Sequence, residues 1–181
     1  VHSSFEYYAS PSVLPEMLHE PIAPGRVKAA RSEYMKDETV YEKGDAAHPF
    51  VAQANRLLEG ASVTIPPETK VRFVWDLGDY YCAYPYLKLS GGNGAQLRWG
   101  WTEALFDAKK RKQRRDAFEN LAASRLFADR FVSDGRKNAE FSTCWWRCGK
   151  WCQIEIKTGG EPLTIEKLMI FETRYPMRRE S

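Results

Sequence analysis

The sequence predicts an all-β fold, an antiparallel β-sandwich of the jelly-roll type with one short helix. Several short segments alternate apolar and polar residues with a period of two, which places the apolar set on one face of a strand. Gly, Asn and Pro clusters separate these segments and indicate turns. With 181 residues, 43% of them apolar, the chain is long enough for one well-buried core.

The predicted strands of the middle of the chain follow in order. A short strand at Ala61 to Ile65 comes first. Val71 to Leu77 alternates apolar and polar residues, and Ala83 to Leu89 and Ala95 to Trp101 repeat this pattern. The Gly91 to Ala95 segment suits positive φ, so we predict that it joins the last two strands as a hairpin.

The second half of the sequence predicts three further strands and the helix. Ala139 to Trp145 and Cys152 to Ile156 alternate in the same way, and Leu163 to Tyr175 is a closing β-rich run. The best helical spacing of apolar residues lies at Asp116 to Phe127. Six or seven short strands with turn signals between them favour a sandwich over a helical fold.

The domain organisation is predicted from the prolines. Residues 1–56 carry prolines at positions 11, 15, 21, 24 and 49, and proline breaks long periodic elements. We therefore expect an irregular lead-in over 1–56 and the sandwich over 57–177. Residues 178–181 are expected to begin a linker, which would make the chain an interior piece of a larger protein.

Charge and apolar runs limit the partners. The net charge of +3 is too mild to imply a polyanionic partner, except at residues 109–115, which hold six cations in seven positions. Such a run can neutralise phosphates, but an ordinary solvated loop is the favoured interpretation. No apolar run approaches the ~20 residues that span a bilayer, so we expect no membrane partner.

No catalytic or metal site is predicted from the residues themselves. The cysteines, Cys82, Cys144, Cys148 and Cys152, lack the C-x2-C spacing of zinc sites. The sequence favours buried thiols and leaves a disulfide open. The acidic residues that could form a glycosidase pair are Asp76, Asp79, Glu103 and Asp107. Asp76 and Glu103 more plausibly bond to turn amides.

The order of several short motifs resembles one domain family. These motifs are Val63-Thr64-Ile65-Pro66, Trp75-Asp76-Leu77-Gly78-Asp79-Tyr80, Tyr84-Pro85, the Gly91 to Ala95 turn, Thr102-Glu103-Ala104-Leu105-Phe106-Asp107, Arg115-Asp116, Asp134-Gly135, Phe141, Trp145-Trp146-Arg147, Trp151 to Glu155, Glu161-Pro162-Leu163-Thr164-Ile165-Glu166 and Thr173-Arg174-Tyr175-Pro176. Together they resemble the concanavalin-like β-sandwich domain of bacterial α-L-rhamnosidases of glycoside hydrolase family 78. Lys150-Trp151 and three of the cysteines depart from that pattern.

The resemblance implies a non-catalytic accessory domain. In such enzymes a helical (α/α) barrel follows and cleaves terminal α-L-rhamnosides by an inverting mechanism, with acid and base carboxylates ~6.5–9.5 Å apart. The barrel would then be the partner of this domain within the same protein. The chain would come from a bacterium, in its periplasm or cytoplasm.

Three functions follow as hypotheses. The preferred one is a scaffold that packs against the barrel. The alternative is a carbohydrate-binding module for rhamnose-containing glycans, with Trp146, Tyr80, Asp79 and Asn93 as candidate sugar contacts and with calcium as an optional cofactor. Nucleic-acid binding through residues 109–115 is the least favoured of the three.

Overall fold

A computed structural model describes residues 11, 13–34, 40–123 and 126–177. It confirms the all-β antiparallel sandwich. Within the described residues, nine strands and one α-helix occur along the chain: β1 (Glu20–Ile22), β2 (Arg26–Arg31), α1 (Pro49–Leu58), β3 (Val63–Ile65), β4 (Lys70–Gly91), β5 (Gln96–Thr102), β6 (Phe127–Val132), β7 (Gly135–Ser142), β8 (Arg147–Lys157) and β9 (Leu163–Glu172). A 3-10 turn at Lys43–Ala47 precedes α1.

The long strand β4 belongs to both layers of the sandwich. Its first half, up to Asp76, pairs with β2 and β8, and pairing with β8 resumes at Tyr81 to Ala83. From Ala83 onward the second half pairs with β9, and its last residues also pair with β7. Pairing with β8 shifts register between Asp76 and Tyr81, and Gly78 in this bulge has a φ of 83°. A side chain disfavours that left-handed backbone, so glycine allows the bend that carries β4 between the layers.

The two layers follow from this bend. The first layer has the order β2, β4, β8, β5, β6, and the second has β7, β4, β9, with β1 and β3 both on the outer edge of β9. The predicted hairpin at Gly91 to Ala95 is wrong, because β5 pairs with β8 and β6 and β4 pairs with other strands. The turn instead crosses from the second layer to the first. Alternation identifies only which face of a strand is buried. Because β4 and β5 both turn that face to the same core, the pattern is the same for a hairpin and for a crossing between layers.

Aromatic residues dominate the core between the layers. Trp75, Trp99 and Trp101 are at most 1% exposed, with ring centroids 6.1 Å apart for the first pair and 6.0 Å for the second. Phe131 of the first layer contacts Phe141 of the second. Burying each such side chain stabilises the fold by roughly 2–3 kcal/mol relative to exposure.

The helix lies elsewhere than predicted. Residues 116–123 form turns and an isolated bridge, with Asn120 at a φ of 56°, so the helix expected at Asp116 to Phe127 is wrong. The actual helix α1 begins at Pro49, and the His48 ring accepts a hydrogen bond from the Phe50 amide. Its buried residues are Phe50, Ala54 and Leu57. Proline at the first helical position favours a helix start, although prolines led us to expect an irregular segment here.

The outer face of the first layer is also covered. Leu105 and Leu121 of the 103–123 loop, together with Tyr41, pack over Val74 and Trp151 in a second apolar cluster. Beneath this cover, the Arg98 guanidinium donates to the Glu155 carboxylate at 2.6 Å, and the Gln153 amide donates to it at 2.9 Å. The Tyr41 hydroxyl donates to Gln153 at 2.9 Å. The inner strands are therefore buried on both faces.

Candidate functional site

An open cleft of about 490 Å³ lies at one end of the sandwich. Four elements surround it: the β4 bulge, the end of β5 with its following loop, the start of β6, and the β7–β8 turn with the start of β8. We call it the aromatic cleft. Its lining residues are Tyr80, Trp101, Thr102, Glu103, Phe106, Lys112, Phe127, Trp145, Trp146, Arg147 and Cys148. The volume falls within the ~300–1,000 Å³ range of small-molecule sites.

Exposed aromatic side chains form the walls of the aromatic cleft. Tyr80 is 41% exposed, Phe127 is 72% exposed and Trp145 is 63% exposed. Trp146 is half-buried, and its ring stacks on Trp145 with centroids 5.9 Å apart. The buried Trp101 ring completes the wall, and its indole N–H has no hydrogen-bond partner within the described part of the chain. Flat aromatic faces open to solvent suit a ligand with an apolar face.

Hydrogen bonds fix the turn that carries the two tryptophans. The Thr143 hydroxyl donates to the Trp145 carbonyl at 2.7 Å. The Arg147 guanidinium donates at 3.2 Å to the carbonyls of both tryptophans, and it also binds Asp129 through two contacts of 2.6 and 2.8 Å. The hydrogen bonds that Arg147 donates to Asp129 raise the pKa of Arg147, against the effect of its partial burial. This bidentate geometry holds the turn in one orientation.

The sequence pattern misassigned Trp145. Alternation from Ala139 onward placed Trp145 on the apolar face of a strand, but β7 ends at Ser142, so both tryptophans lie in a turn. Strand parity no longer applies beyond the last paired residue. The adjacent Trp145-Trp146 pair itself was the signal that could have identified both residues, since one strand face buries only alternate positions.

Polar groups stand on the other side of the aromatic cleft. Lys112 forms an ion pair with Glu103, and Tyr80 lines the aromatic cleft together with them. The Lys112 hydrogen bond is the largest cause that holds the pKa of Glu103 below its usual value. Burial, followed by the charge of the nearby Cys148, raises the pKa of Tyr80, so the phenol stays protonated and able to donate.

A second hollow of about 300 Å³ adjoins the aromatic cleft. It shares Tyr80, Glu103 and Lys112 with the cleft and continues to Gln113 and Arg115. These three shared residues lie between the two depressions. This arrangement offers space to an extended ligand with more than one ring.

The structure separates the four predicted contacts. Trp146 and Tyr80 both line the aromatic cleft. Asp79 is beside it, where its carboxylate accepts from the Tyr80 amide at 2.8 Å and pairs with Arg115 at 3.3 Å. Asn93 lies beyond the opposite end of β5 from the cleft, and the length of β5 at ~3.3 Å per residue puts the two ~20 Å apart. The backbone amide of Asn93 donates to the Glu161 carboxylate. The structure brings together Trp146 and Tyr80, with Asp79 beside them.

The charged residues considered for catalysis or nucleic-acid contact have local partners. Asp76 accepts from the Gly78 amide, as predicted, and pairs with Lys150 at 2.8 Å. Asp107 accepts from two backbone amides and pairs with Arg111. Glu103 does not bond to a turn amide but to Lys112. Three cations of the 109–115 run, Arg111, Lys112 and Arg115, thus face carboxylates.

The cysteines only partly follow the prediction of buried thiols. Cys152 is fully buried, but Cys144 is exposed, and Cys82 and Cys148 are half-buried.

Across the described residues, no group of three or more His, Cys, Asp or Glu side chains is arranged to hold a metal ion. Among the helical segments in that same part of the chain, none has the length and apolar character to cross a membrane.

Comparisons with known proteins find similarity only at the level of structure. No protein-family model matches the chain, and no curated protein matches it in sequence. A rhamnosidase from Klebsiella oxytoca with rhamnose bound has a TM-score of 0.51 and 15% identity, over 88% of this chain and 30% of that chain. At such identity the likeness shows the fold alone.

Two further solved structures are more distant. A GH78 family rhamnosidase of Bacillus sp. GL1 has a TM-score of 0.47 and 12% identity, over 65% of this chain and 11% of that chain. A fucose binding module of Streptococcus pneumoniae has a TM-score of 0.39 and 12% identity, over 84% of this chain and 95% of that chain. The chain spans less than one third of either rhamnosidase.

Proposed function

We propose that this domain binds carbohydrate in the aromatic cleft and that it serves as an accessory domain. The observation that carries the proposal is the cluster of solvent-facing aromatic rings beside hydrogen-bonding groups. A sugar ring has apolar C–H faces and polar hydroxyls at its edge, so it needs both kinds of surface at once. Trp145 and Trp146 supply the flat faces.

The polar side of the cleft fits sugar hydroxyls. Glu103 has acceptor oxygens, and Lys112 and Tyr80 supply donors at the same place. An uncharged ligand suits this pair, because Glu103 and Lys112 already neutralise each other. The fold likeness to a rhamnosidase with rhamnose bound supports an L-rhamnose-containing glycan as the first ligand to test.

The test is calorimetric titration with L-rhamnose, L-fucose and D-glucose. We expect weak, selective binding of one 6-deoxy sugar and about a tenfold loss of affinity in Trp145→Ala and in Trp146→Ala, since one lost ring contact is worth ~1–1.5 kcal/mol. Tyr175→Ala is the matched control, because Tyr175 is 45% exposed and lies outside the cleft. No heat with any of the three sugars at tens of millimolar, or unchanged binding by both tryptophan variants, would exclude sugar binding at this cleft.

Calcium is tested in the same titration. Calcium is optional for sugar binding here, because carboxylates near the cleft already face cations. We expect the same affinity with millimolar calcium and with a chelator. A dependence on calcium would instead require that a ligand or a rearranged loop supply the missing oxygen atoms.

The second candidate is a scaffold within a glycoside hydrolase of the α-L-rhamnosidase type, whose (α/α) barrel would carry the acid and base. The likeness to about a third of a rhamnosidase chain favours it. An apolar hollow lined by Leu14, Pro15, Tyr175, Pro176 and Met177 is a candidate docking surface for that barrel. This role requires that the chain alone does not hydrolyse an aryl α-L-rhamnoside, and turnover by the purified chain would contradict it.

A further inference from the structure

We propose that Cys82 and Cys148 form a reversible disulfide at the edge of the aromatic cleft. The two residues are direct partners on the neighbouring strands β4 and β8. Their sulfur atoms are 3.2 Å apart, although both cysteines are reduced here. Forming a bond of ~2.05 Å would require the sulfurs to approach by about 1.2 Å. The inference does not depend on sugar binding.

The backbone geometry of this pair suits a disulfide. The Cys82 carbonyl accepts a hydrogen bond from the Thr173 amide, on the side away from β8. The N–H and C=O of a strand residue point the same way, so Cys82 and Cys148 form a non-hydrogen-bonded pair. Such pairs have Cα atoms ~4.5 Å apart, which lies inside the 4.4–6.8 Å range of disulfides.

The surroundings single out this pair among the four cysteines. Cys82 and Cys148 are half-buried, and Cys148 lines the open cleft, so a small oxidant can reach it. Cys152 is sealed in the core and Cys144 lies in the exposed turn before β8. Burial first, and then the hydrogen bond with Cys148, raise the pKa of Cys82 to about 11. Oxidation should therefore accelerate as the pH rises.

The chemistry is thiol–disulfide exchange with a small-molecule disulfide. A thiolate of the pair attacks the cyclic disulfide of oxidised dithiothreitol and opens its ring, which gives a mixed disulfide with a free thiol on the reagent. The second thiolate attacks the protein sulfur of that mixed disulfide and expels the other thiol. In total two cysteine thiols lose two protons and two electrons, and the oxidant is reduced to two thiols.

The bond would connect the bulge of β4 to the strand that follows the tryptophan turn. Tyr80 lies two residues before Cys82, and Trp146 lies two residues before Cys148. Oxidation also converts the Cys148 thiol, which lines the cleft together with Tyr80, to a disulfide sulfur. The disulfide would thus fix two walls of the aromatic cleft relative to each other and close a loop between positions separated by 66 residues.

The experiment equilibrates the full chain with mixtures of reduced and oxidised dithiothreitol. Free thiols are then blocked with N-ethylmaleimide, and peptides are mapped by mass spectrometry without reduction. We expect a linked Cys82–Cys148 peptide, two hydrogens lighter than the separate thiol peptides, whose share rises with the oxidised fraction. Complete alkylation of Cys82 at the highest oxidised fraction would overturn the proposal, as would a Cys144–Cys148 link.

Thermal unfolding gives a second readout. Closing this loop should raise the Tm of the oxidised wild type by about 5–10 °C over the reduced protein. Cys82→Ser should abolish that difference, whereas Cys144→Ser is the matched control that keeps it. Equal Tm values for the oxidised and reduced wild type would contradict the constraint. If Cys82→Ser does not fold, the peptide map of the wild type still decides the question.

Discussion

The buried ion pair beneath the outer loop gives the sharpest test of the fold. Glu155 is fully buried and Arg98 is 7% exposed, so neither charge can recover its hydration. Glu155→Gln keeps the shape and the acceptor for the Gln153 amide but removes the negative charge that faces Arg98. Breaking one side of a buried pair costs ~3–5 kcal/mol. We expect a loss of stability in that range.

Urea denaturation followed by tryptophan fluorescence measures this loss. With an m-value of about 2 kcal/mol per molar, the midpoint should fall by roughly 1.5–2.5 M. The matched control is Arg136→Ala, which removes an exposed pair with Asp134 and should shift the free energy of unfolding by less than ~1 kcal/mol.

A double variant separates charge from packing. Arg98→Met together with Glu155→Gln removes both charges, and it should recover most of the stability lost by Glu155→Gln alone, because neither charge is then left uncompensated. If Glu155→Gln shifts the midpoint no more than Arg136→Ala does, the reasoning that this pair is desolvated is refuted.

Two further predictions concern the 3-10 turn and two glycines. Burial raises the pKa of Asp45, but hydrogen bonds from the Arg31 side chain and the Glu42 amide outweigh it and hold this pKa below 3.8. The stability difference between wild type and Asp45→Asn should therefore be present at neutral pH, amount to less than ~1 kcal/mol, and vanish as the pH falls well below 3.8; a difference that persists at pH 2 in urea melts would contradict this. Gly78→Ala should cost about 1–2 kcal/mol for its left-handed backbone alone, whereas Gly25→Ala should cost more in the same melts, because its Cβ would lie 1.9 Å from the Asp76 carbonyl oxygen. The reverse order would show that backbone crowding at Gly25 is relieved by movement.

The aromatic cleft shows where sequence reasoning succeeded and failed at the level of a site. Trp146 was identified because it falls on the polar face of a predicted strand, and Tyr80 because it lies beside a turn. Both residues line the cleft. Trp145 was missed, since alternation was extended past the end of β7. Asn93 was grouped with them because it is polar and near glycines, a property that gives no information about which end of the sandwich it occupies.

The sequence by itself determined the strands and the class of the fold. Apolar alternation identifies which residues are buried, and it located β3, β5, β9, parts of β7 and β8 and both halves of β4, because the period of two is a local property of an extended backbone. It did not detect β1, β2 or β6. It also placed the helix wrongly. The five prolines of residues 1–56 indicate an irregular segment more strongly than His48 and Pro49 indicate the start of a helix.

Only the tertiary structure decided which strands are neighbours and what meets at the cleft. Alternation is the same whether the next strand pairs alongside or crosses to the other layer, so the Gly91 to Ala95 turn could not be recognised as a crossing. The approach of Tyr80, Trp146 and Cys148 depends on the β4 bulge and on the register of β8. These are long-range properties, and the free energy that fixes them comes from packing across the whole core rather than from any single segment.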